Sequence, residues 1–168
     1  MKVAPLNDRC IVQRVQEVLD YYPETGQFVW HSPPHNHPRL MGQLAGGKSS
    51  GYTMIKIDGQ KYKAHRLAWL VMTGEWPDHR IDHINGDTHD NAWSNLRACD
   101  QTQNNANRKK NTGKALPKGV RQVGSRFQAR LRSGGQLFSL GSFSTAEAAH
   151  AAYMAKAREV FGGFARAG

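Results

Sequence analysis

The sequence predicts an α+β protein in which short antiparallel strands and separate helices follow one another along the chain. Residues 8–21 carry apolar side chains at helical spacing. Asp58-Gly59 lies between two strand-like runs and is a typical turn of a tight β-hairpin. Near the C-terminus, three short strand-like runs precede an alanine-rich helical stretch.

The N-terminal region is predicted to contain a helix, a short strand and a hairpin. The helix spans 8–21, with Asp8 in position to cap it. Residues 22–30 combine a turn with a strand, and residues 31–50, rich in Pro, Gly, His and Ser, predict an irregular loop. The strands of the hairpin are expected at 52–57 and 60–64.

The middle of the chain is predicted to place one strand between two helices. Residues 65–74 have an apolar face and end at Gly74, a residue favoured after a helix. Residues 80–87 predict a strand followed by a turn. Residues 98–110 are polar but can form a helix with Asp100 as its cap.

The C-terminal region is predicted to form a small sheet and one helix. Residues 111–119 contain two glycines and a proline, which is typical of a linker, and we expect the linker itself at 111–117. The helix is expected at 144–161, where Ser144 and Glu147 have the spacing of a capping box. The strands are expected at 120–123, 127–132 and 136–143.

The positive charge of the chain is concentrated at its C-terminal end. The formal net charge is +10, and residues 108–168 contain 12 of the 23 Lys and Arg but only two of the 13 acids. The electric field of such a concentration of positive charge attracts a polyanion, and nucleic acid is the first candidate. The alternative is a basic surface that only keeps the protein in solution.

Cysteine content and hydropathy narrow the class of protein further. The chain has two cysteines, Cys10 and Cys99, which lie far apart in the sequence. Two cysteines are too few for a disulfide framework or a four-cysteine zinc site. We therefore expect the protein in a reducing cytoplasm. No apolar run approaches the roughly 20 residues of a membrane helix. We therefore expect no membrane partner.

Residues 79–107 are dense in imidazole, carboxylate and amide groups. Hydrolysis of a phosphodiester needs a base near neutral pH, which suits His, and oxygen ligands for a hard cation, which suits Asp and Asn. Asp82 and His83 are adjacent near a strand end, and Asn104 lies on the following helix. The full set is His79, Asp82, His83, Asp87, His89, Asp90, Asn91, Asn95, Asn104, Asn105 and Asn107.

Three other interpretations fit the same residues. Residues 85–87 can be a simple turn, with His83 an ordinary polar side chain. The amides near 104–107 can belong to a frayed helix end. A zinc site can be assembled from His79 and His83 together with Cys99 or His89, although no CxxC pair supports it.

Residues 65–109 resemble the HNH nuclease domain of phage and intron-encoded homing endonucleases, through Asp82-His83, the Asn-Leu-Arg at 95–97 and the late Asn104. The resemblance implies a ββα-metal finger with His83 as the general base. It implies Asp82 and Asn104 as ligands of one divalent metal, magnesium or manganese. It also implies that Asn95 braces the loop and orients His83. The segment 21–30 and the hairpin before His65 are similar to the same proteins, with no catalytic residue assigned.

Residues 118–165 resemble the plant ethylene-response-factor DNA-binding domain of the APETALA-two type, with Gly-Val-Arg at 119–121 and Leu-Gly-Ser-Phe at 140–143. That family packs a three-stranded antiparallel sheet on one helix and lays the sheet in the DNA major groove. Leu137 and Ser139 depart from the plant pattern, so the plant target sequence does not carry over. The expected DNA-binding residues are Lys109, Lys110, Lys118, Arg121, Arg126, Arg130 and Arg132.

These observations predict a nuclease domain at 1–110, a linker at 111–117 and a DNA-binding sheet-plus-helix domain at 118–168. The expected function is a phage homing or mobile-element endonuclease that nicks double-stranded DNA. We expect a monomer without a protein partner, in the cytoplasm of a bacterial host. The alternatives are a DNA-binding regulator with an inactive nuclease finger and a zinc-stabilised structural or RNA-binding module.

Overall fold

The computed structural model describes residues 8–108 and 115–167, and it confirms the predicted mixed α+β class. The chain divides into two compact units, Met1–Ala98 and Cys99–Gly168. Each unit has its own hydrophobic core. None of the helices in the described part of the chain has the length and hydropathy of a transmembrane span.

The first unit begins with a helix that turns directly into a β-hairpin. The helix α1 spans Asp8–Val18 and the hairpin strands are β1 (Leu19–Tyr22) and β2 (Gln27–Trp30). The prediction of a helix over 8–21 is therefore wrong over its last three residues. Because Leu19–Tyr22 pairs in antiparallel register with Gln27–Trp30, the ladder hydrogen bonds outweigh the local helical pattern.

A three-stranded sheet and a second helix follow. The strands are β3 (Gly47–Ser49), β4 (Tyr52–Ile57) and β5 (Gln60–Lys63), and α2 spans Ala64–Thr73. The predicted hairpin is confirmed. The prediction of an irregular loop over 31–50 is wrong at β3, which pairs with the first residues of β4.

Helix α2 ends where the sequence predicts. Gly74 has a φ of 77°, and its N–H donates to the carbonyl of Leu70. The unit's core lies where α1, α2 and β4 pack together, and its most buried large side chains are Val15, Ile55, Leu67 and Leu70.

The first unit ends with the two-stranded sheet that carries the candidate site. Its strands are β6 (Arg80–His83) and β7 (Leu96–Cys99), and the loop 84–95 connects them. The strand β6 was predicted, whereas β7 was not. The boundary between the two units falls within β7, between Ala98 and Cys99.

The second unit contains α3 (Gln101–Asn107), β8 (Val120–Val123), β9 (Arg126–Ser133), β10 (Gln136–Phe143) and α4 (Ala146–Phe161). The three strands form an antiparallel sheet with β9 in the middle. Helix α4 packs on one face of the sheet, and its alanines allow a close approach. Ala149, Tyr153 and Ala157 recur every four residues and are buried there.

Two local predictions in this unit have different outcomes. Asp100 caps α3 as predicted. The prediction that Ser144 caps the last helix is wrong, because Thr145 is the cap and its Oγ1 accepts a hydrogen bond from the N–H of Ala148 at 3.2 Å. The predicted domain limits stay a prediction, and residues 111–114 of the proposed linker lie outside the described residues.

Candidate active site

Strand β6 presents Asp82 and His83 at its C-terminal end, where the chain enters the loop 84–95. Both side chains are buried, with exposed fractions of 6% and 4%. A carboxylate and an imidazole are costly to bury unless neighbouring polar groups satisfy them. The surroundings of these two residues therefore determine what chemistry they can perform.

Arg97 on the neighbouring strand β7 holds the carboxylate of Asp82. Its Nε and one terminal nitrogen lie 3.0 and 2.9 Å from Oδ2 of Asp82. A charge-assisted contact of this kind fixes the orientation of the carboxylate. Sequence reasoning did not assign Arg97 a role, although it follows Asn95-Leu96 in the motif itself.

Asn91 contacts the imidazole of His83. Its Oδ1 lies 3.3 Å from Nε2 of His83, and its amide nitrogen donates to the carbonyl of His89 at 3.0 Å. Burial lowers the pKa of His83 below its ordinary value of 6.5, while Asn91 and Asp82 oppose the shift. His83 is therefore neutral near pH 7, which is the state that can accept a proton. The sequence predicts no separate role for Asn91 beyond its place among the polar residues of 79–107.

A second histidine and a tyrosine pack around His83. The ring of His65 lies edge-on to that of His83, with the centroids 4.9 Å apart, and Tyr52 packs against both. Burial, followed by the nearby His83, lowers the pKa of His65 to about 3. Its buried Nδ1 has no hydrogen-bond partner among the described residues. His65 therefore helps to form an uncharged wall beside His83.

Asn95 ties the two ends of the loop 84–95 together. Its Oδ1 accepts from the N–H of Asn85 at 2.9 Å, and its Nδ2 donates to the carbonyl of Asp90 at 2.8 Å. The Nδ2 of Asn85 in turn donates to Oδ2 of Asp90 at 2.7 Å. These bonds restrict the segment that carries Asn91.

The hairpin β1–β2 supports the same loop from outside. Tyr21 Oη donates to the carbonyl of Asn91 at 2.8 Å, and the N–H of Trp93 donates to the carbonyl of Pro23 at 2.8 Å. A Cβ on Gly26 would lie 2.1 Å from the backbone of Asn91 and Ala92. The contacts show that the hairpin, which sequence reasoning left without a catalytic role, holds the residue that touches His83.

Asn104 lies on α3, in the second unit, and its side chain is partly exposed. The helix begins with a capping box, in which Asp100 Oδ1 accepts from the N–H of Gln103 and Gln103 Oε1 accepts from the N–H of Asp100. These bonds, of 2.7 and 2.9 Å, define the start of the helix that carries Asn104.

All four arginines predicted to bind DNA lie on one face of the sheet in the second unit. Arg121 pairs with Gln128, and Arg130 pairs with Ser139. Arg126, Arg130 and Arg132 alternate along β9 with Ala129 and Leu131, which are buried beneath α4. The arginines therefore point away from α4.

This arginine face (Arg121, Arg126, Arg130 and Arg132) contains no acidic residue, because residues 115–143 include neither Asp nor Glu. Lys118 is placed differently, with its ammonium directed at backbone carbonyls. Lys109 and Lys110 lie outside the described residues.

Comparison with known proteins decides the family. Residues 62–106 match a family model described as HNH endonuclease. An uncharacterised HNH endonuclease of Acanthamoeba polyphaga mimivirus is 30% identical over 150 residues, which cover 88% of this chain and 70% of the relative. The chain belongs to the HNH endonuclease family. No solved structure matches it.

Membership of this family indicates that the protein is a nuclease that acts on DNA. The matched segment runs from Tyr62 in β5 to Ala106 in α3, and includes Asp82, His83 and Asn104. The resemblance to a plant DNA-binding domain stays a prediction.

HNH endonucleases generally use a divalent metal, and the donor atoms available here suit a hard ion. Over residues 8–108 and 115–167, no group of three or more His, Cys, Asp and Glu side chains could hold a metal. The alternative zinc site on His79 and His83 would need such a group. Mg²⁺ keeps several waters and needs only one or two carboxylates with substrate phosphates. The carboxylate of Asp82 and the amide oxygen of Asn104 are ligands of that type.

Proposed function

We propose that this HNH endonuclease hydrolyses phosphodiester bonds of double-stranded DNA with one divalent metal and His83 as the general base. The observation that carries the proposal is the environment of His83. Its ring is buried and neutral near pH 7, and Nε2 is oriented by Asn91. A neutral imidazole that is held in one orientation can accept a proton from water.

In this mechanism, His83 removes a proton from the attacking water. Asp82 and Asn104 would hold the metal, magnesium or manganese, as the resemblance to homing endonucleases implies. The metal supplies positive charge for the scissile phosphate and the leaving oxygen. Arg97 keeps the Asp82 carboxylate oriented, and Asn95 keeps the loop that carries Asn91 in shape.

The arginine face is the proposed DNA-binding surface of the enzyme. Arginine side chains on a strand can bind guanine edges in the major groove or hold phosphates. A sheet face with four arginines and no acid supports this role, and the resemblance to the plant domain suggests the same surface. Lys109 and Lys110, which precede the proposed linker, are assigned to phosphate contacts.

We further propose that the enzyme is a phage homing or mobile-element nuclease that works as a monomer in the bacterial cytoplasm. A monomer with one metal and one base nicks one strand before the other. Plasmid incubated with Mg²⁺ should therefore pass through a nicked form, and linear product without a nicked precursor would contradict the monomer.

The variant His83→Ala tests the proposed chemistry. It should abolish cleavage while leaving the DNA dissociation constant nearly unchanged, because the lost group acts only in the chemical step. Cleavage is measured on plasmid with Mg²⁺ and with chelator, and binding on a labelled duplex. A variant that retains a tenth or more of the wild-type rate would exclude His83 as the base.

Asp82→Ala is the companion variant for the metal. It should lose cleavage and metal binding together, and activity that survives in ordinary Mg²⁺ would disprove the ligand assignment. A wild-type protein that binds DNA but never cuts it, with any divalent metal, would instead support the DNA-binding regulator with an inactive nuclease finger.

A further inference from the structure

Lys118 has an unusual environment for a residue predicted to bind DNA. Its ammonium donates to the carbonyl oxygens of Ala106, Arg108 and Arg166, at 2.5, 2.9 and 3.4 Å. An ammonium has three N–H donors, so these three acceptors can use all of them. The side chain is also partly buried, whereas Arg121, Arg126 and Arg132 on the arginine face are exposed.

The first two acceptors belong to the C-terminal end of α3. Ala106 lies in the last turn of the helix, and Arg108 is its C-cap. The last carbonyls of a helix have no partner within the helix, and a cation placed there also interacts favourably with the helix dipole. In a helix of only seven residues, the loss of such a cap affects most of its length.

Helix α3 has a second attachment to the sheet-and-helix module formed by β8–β10 and α4. Ala106 is buried in the same hydrophobic core as Ala129, Tyr153 and Phe161. Residues two positions apart on a helix differ by about 200° in direction, so Asn104 lies on the side of α3 opposite Ala106. The module thus holds α3 by one side while the proposed metal ligand occupies the other.

We propose that Lys118 is a positioning residue that fixes α3, and with it Asn104, on the sheet-and-helix module. This inference rests on the proposed role of Asn104 as a metal ligand. The module then has two tasks in the enzyme, since it binds DNA through the arginine face and holds the helix that carries a ligand of the metal. Lys118 performs the second task, and its ammonium does not contact DNA.

Lys118→Met removes the charge and all three donors at similar side-chain length, and Arg121→Met is the matched control that removes one charge from the arginine face. Lys118→Met should lower the cleavage rate at saturating DNA about tenfold or more, as loss of a group that orients a metal ligand typically does. It should also raise the Mg²⁺ concentration needed for half-maximal cleavage. The DNA dissociation constant should stay near the wild-type value.

Arg121→Met should affect DNA binding more than the cleavage rate, which is the reverse of Lys118→Met. Its DNA dissociation constant should rise, and its rate at saturating DNA should be closer to the wild-type rate than that of Lys118→Met. Lys118→Arg keeps a cation and several donors, and should recover most of the rate lost in Lys118→Met.

Hydrogen exchange of the α3 amides gives a readout that needs neither metal nor DNA. Residues 104–108 should exchange about tenfold faster in Lys118→Met than in the wild type, while β9 exchanges at the wild-type rate. If Lys118→Met fails to fold, Lys118→Gln, which retains two donors, replaces it in the same measurements.

Unchanged α3 exchange, or a dissociation constant that rises as in Arg121→Met, would overturn the inference. A wild-type protein that does not cut DNA would overturn the proposed function instead. The exchange experiment would still decide whether Lys118 caps the helix.

Discussion

His83 and Asn91 are eight residues apart in sequence and meet only because the loop 84–95 folds back over the end of β6. In the proposed mechanism the contact is important, because an acceptor at Nε2 favours one tautomer and one orientation of the ring. Asp82 has an equivalent partner in Arg97. Asp82 and His83 are thus each contacted by a second polar side chain.

Asn91→Asp should shift the pH dependence of cleavage. A carboxylate beside the imidazole favours the protonated ring, so the pKa of His83 should rise by about one to two units. The base is then available only at higher pH, and the acidic limb of the rate profile should move upward by a similar amount. The measurement is the single-turnover cleavage rate between pH 5 and pH 9.

Asn91→Ala is the control for this shift. It should slow cleavage because the ring loses its acceptor, but it should not move the acidic limb to higher pH. An acidic limb that is identical in Asn91→Asp and the wild type would show that Asn91 does not act on His83.

His65 predicts a dependence of protein stability on pH. Its pKa is about 3 in the folded protein and about 6.5 in the unfolded chain. Below pH 6.5 the unfolded chain therefore binds an extra proton, and the folded state loses stability as the pH falls toward 3. The loss reaches about 2 kcal/mol at pH 5 and is absent above pH 7.

His65→Gln should reduce this loss. The difference in unfolding free energy between pH 7.5 and pH 5, measured with urea, should be smaller in the variant than in the wild type. Part of it should remain, because burial also lowers the pKa of His83. Equal differences in the two proteins would exclude His65 as the source.

At the level of elements, the hairpin β1–β2 is a brace for the site loop. Its turn fits against the backbone of Asn91 and Ala92 only because Gly26 has no side chain. Tyr21 adds a hydrogen bond to the same backbone. The hairpin therefore links the stability of the N-terminal region to the geometry around His83.

Gly26→Ala should destabilise the first unit by several kcal/mol. Its φ of +69° costs an alanine about 1–2 kcal/mol, and the added Cβ collides with rigid backbone. Gly42→Ala is a matched control, since Gly42 has a φ of +71° with nothing within 4 Å of the added Cβ. The control should therefore lose only the unfolding free energy that a positive φ costs an alanine. Urea unfolding of both variants gives the comparison, and equal losses would mean that the close approach is not important.

At the level of the whole molecule, charge and proposed chemistry occupy different parts of the chain. Residues 1–107 have equal numbers of acidic and basic residues, and residues 108–168 carry the entire net charge. Asp82 and His83 lie in the balanced part. We therefore expect the C-terminal part to attract DNA over long distances. The arginine face is the proposed place on that part where DNA binds.

The double variant Arg130→Ala/Arg132→Ala should weaken DNA binding and its dependence on salt. If both side chains hold phosphates, the slope of log K against log salt should become less negative by about two. Lys156→Ala/Arg158→Ala removes the same charge from α4, on the other side of the sheet. The slope of log K against log salt should change much less in this second double variant. Similar slopes in the two double variants would show that only net charge matters.

Features whose signals lie within a few residues of one another could be predicted from the amino-acid sequence alone. Asp58 and Gly59 both have positive φ, at 47° and 84°, as a tight hairpin turn requires. Gly74 ends α2, and Asp100 caps α3. The motif around Asp82-His83 also sufficed for the family, because family motifs preserve the order and spacing of the residues in the chain.

The side chains and backbone groups that contact the residues of the site could be identified only from the fold. Leu19 has helical spacing, yet it lies in a strand because Trp30 pairs with it. Arg97 meets Asp82 across 15 residues, and Lys118 meets the Arg166 carbonyl across 48. Contacts of this kind follow from the packing of whole elements, and no local pattern encodes them. The sequence predicts Lys118 as a DNA contact from its charge, and only the fold shows that its ammonium lies at the end of α3.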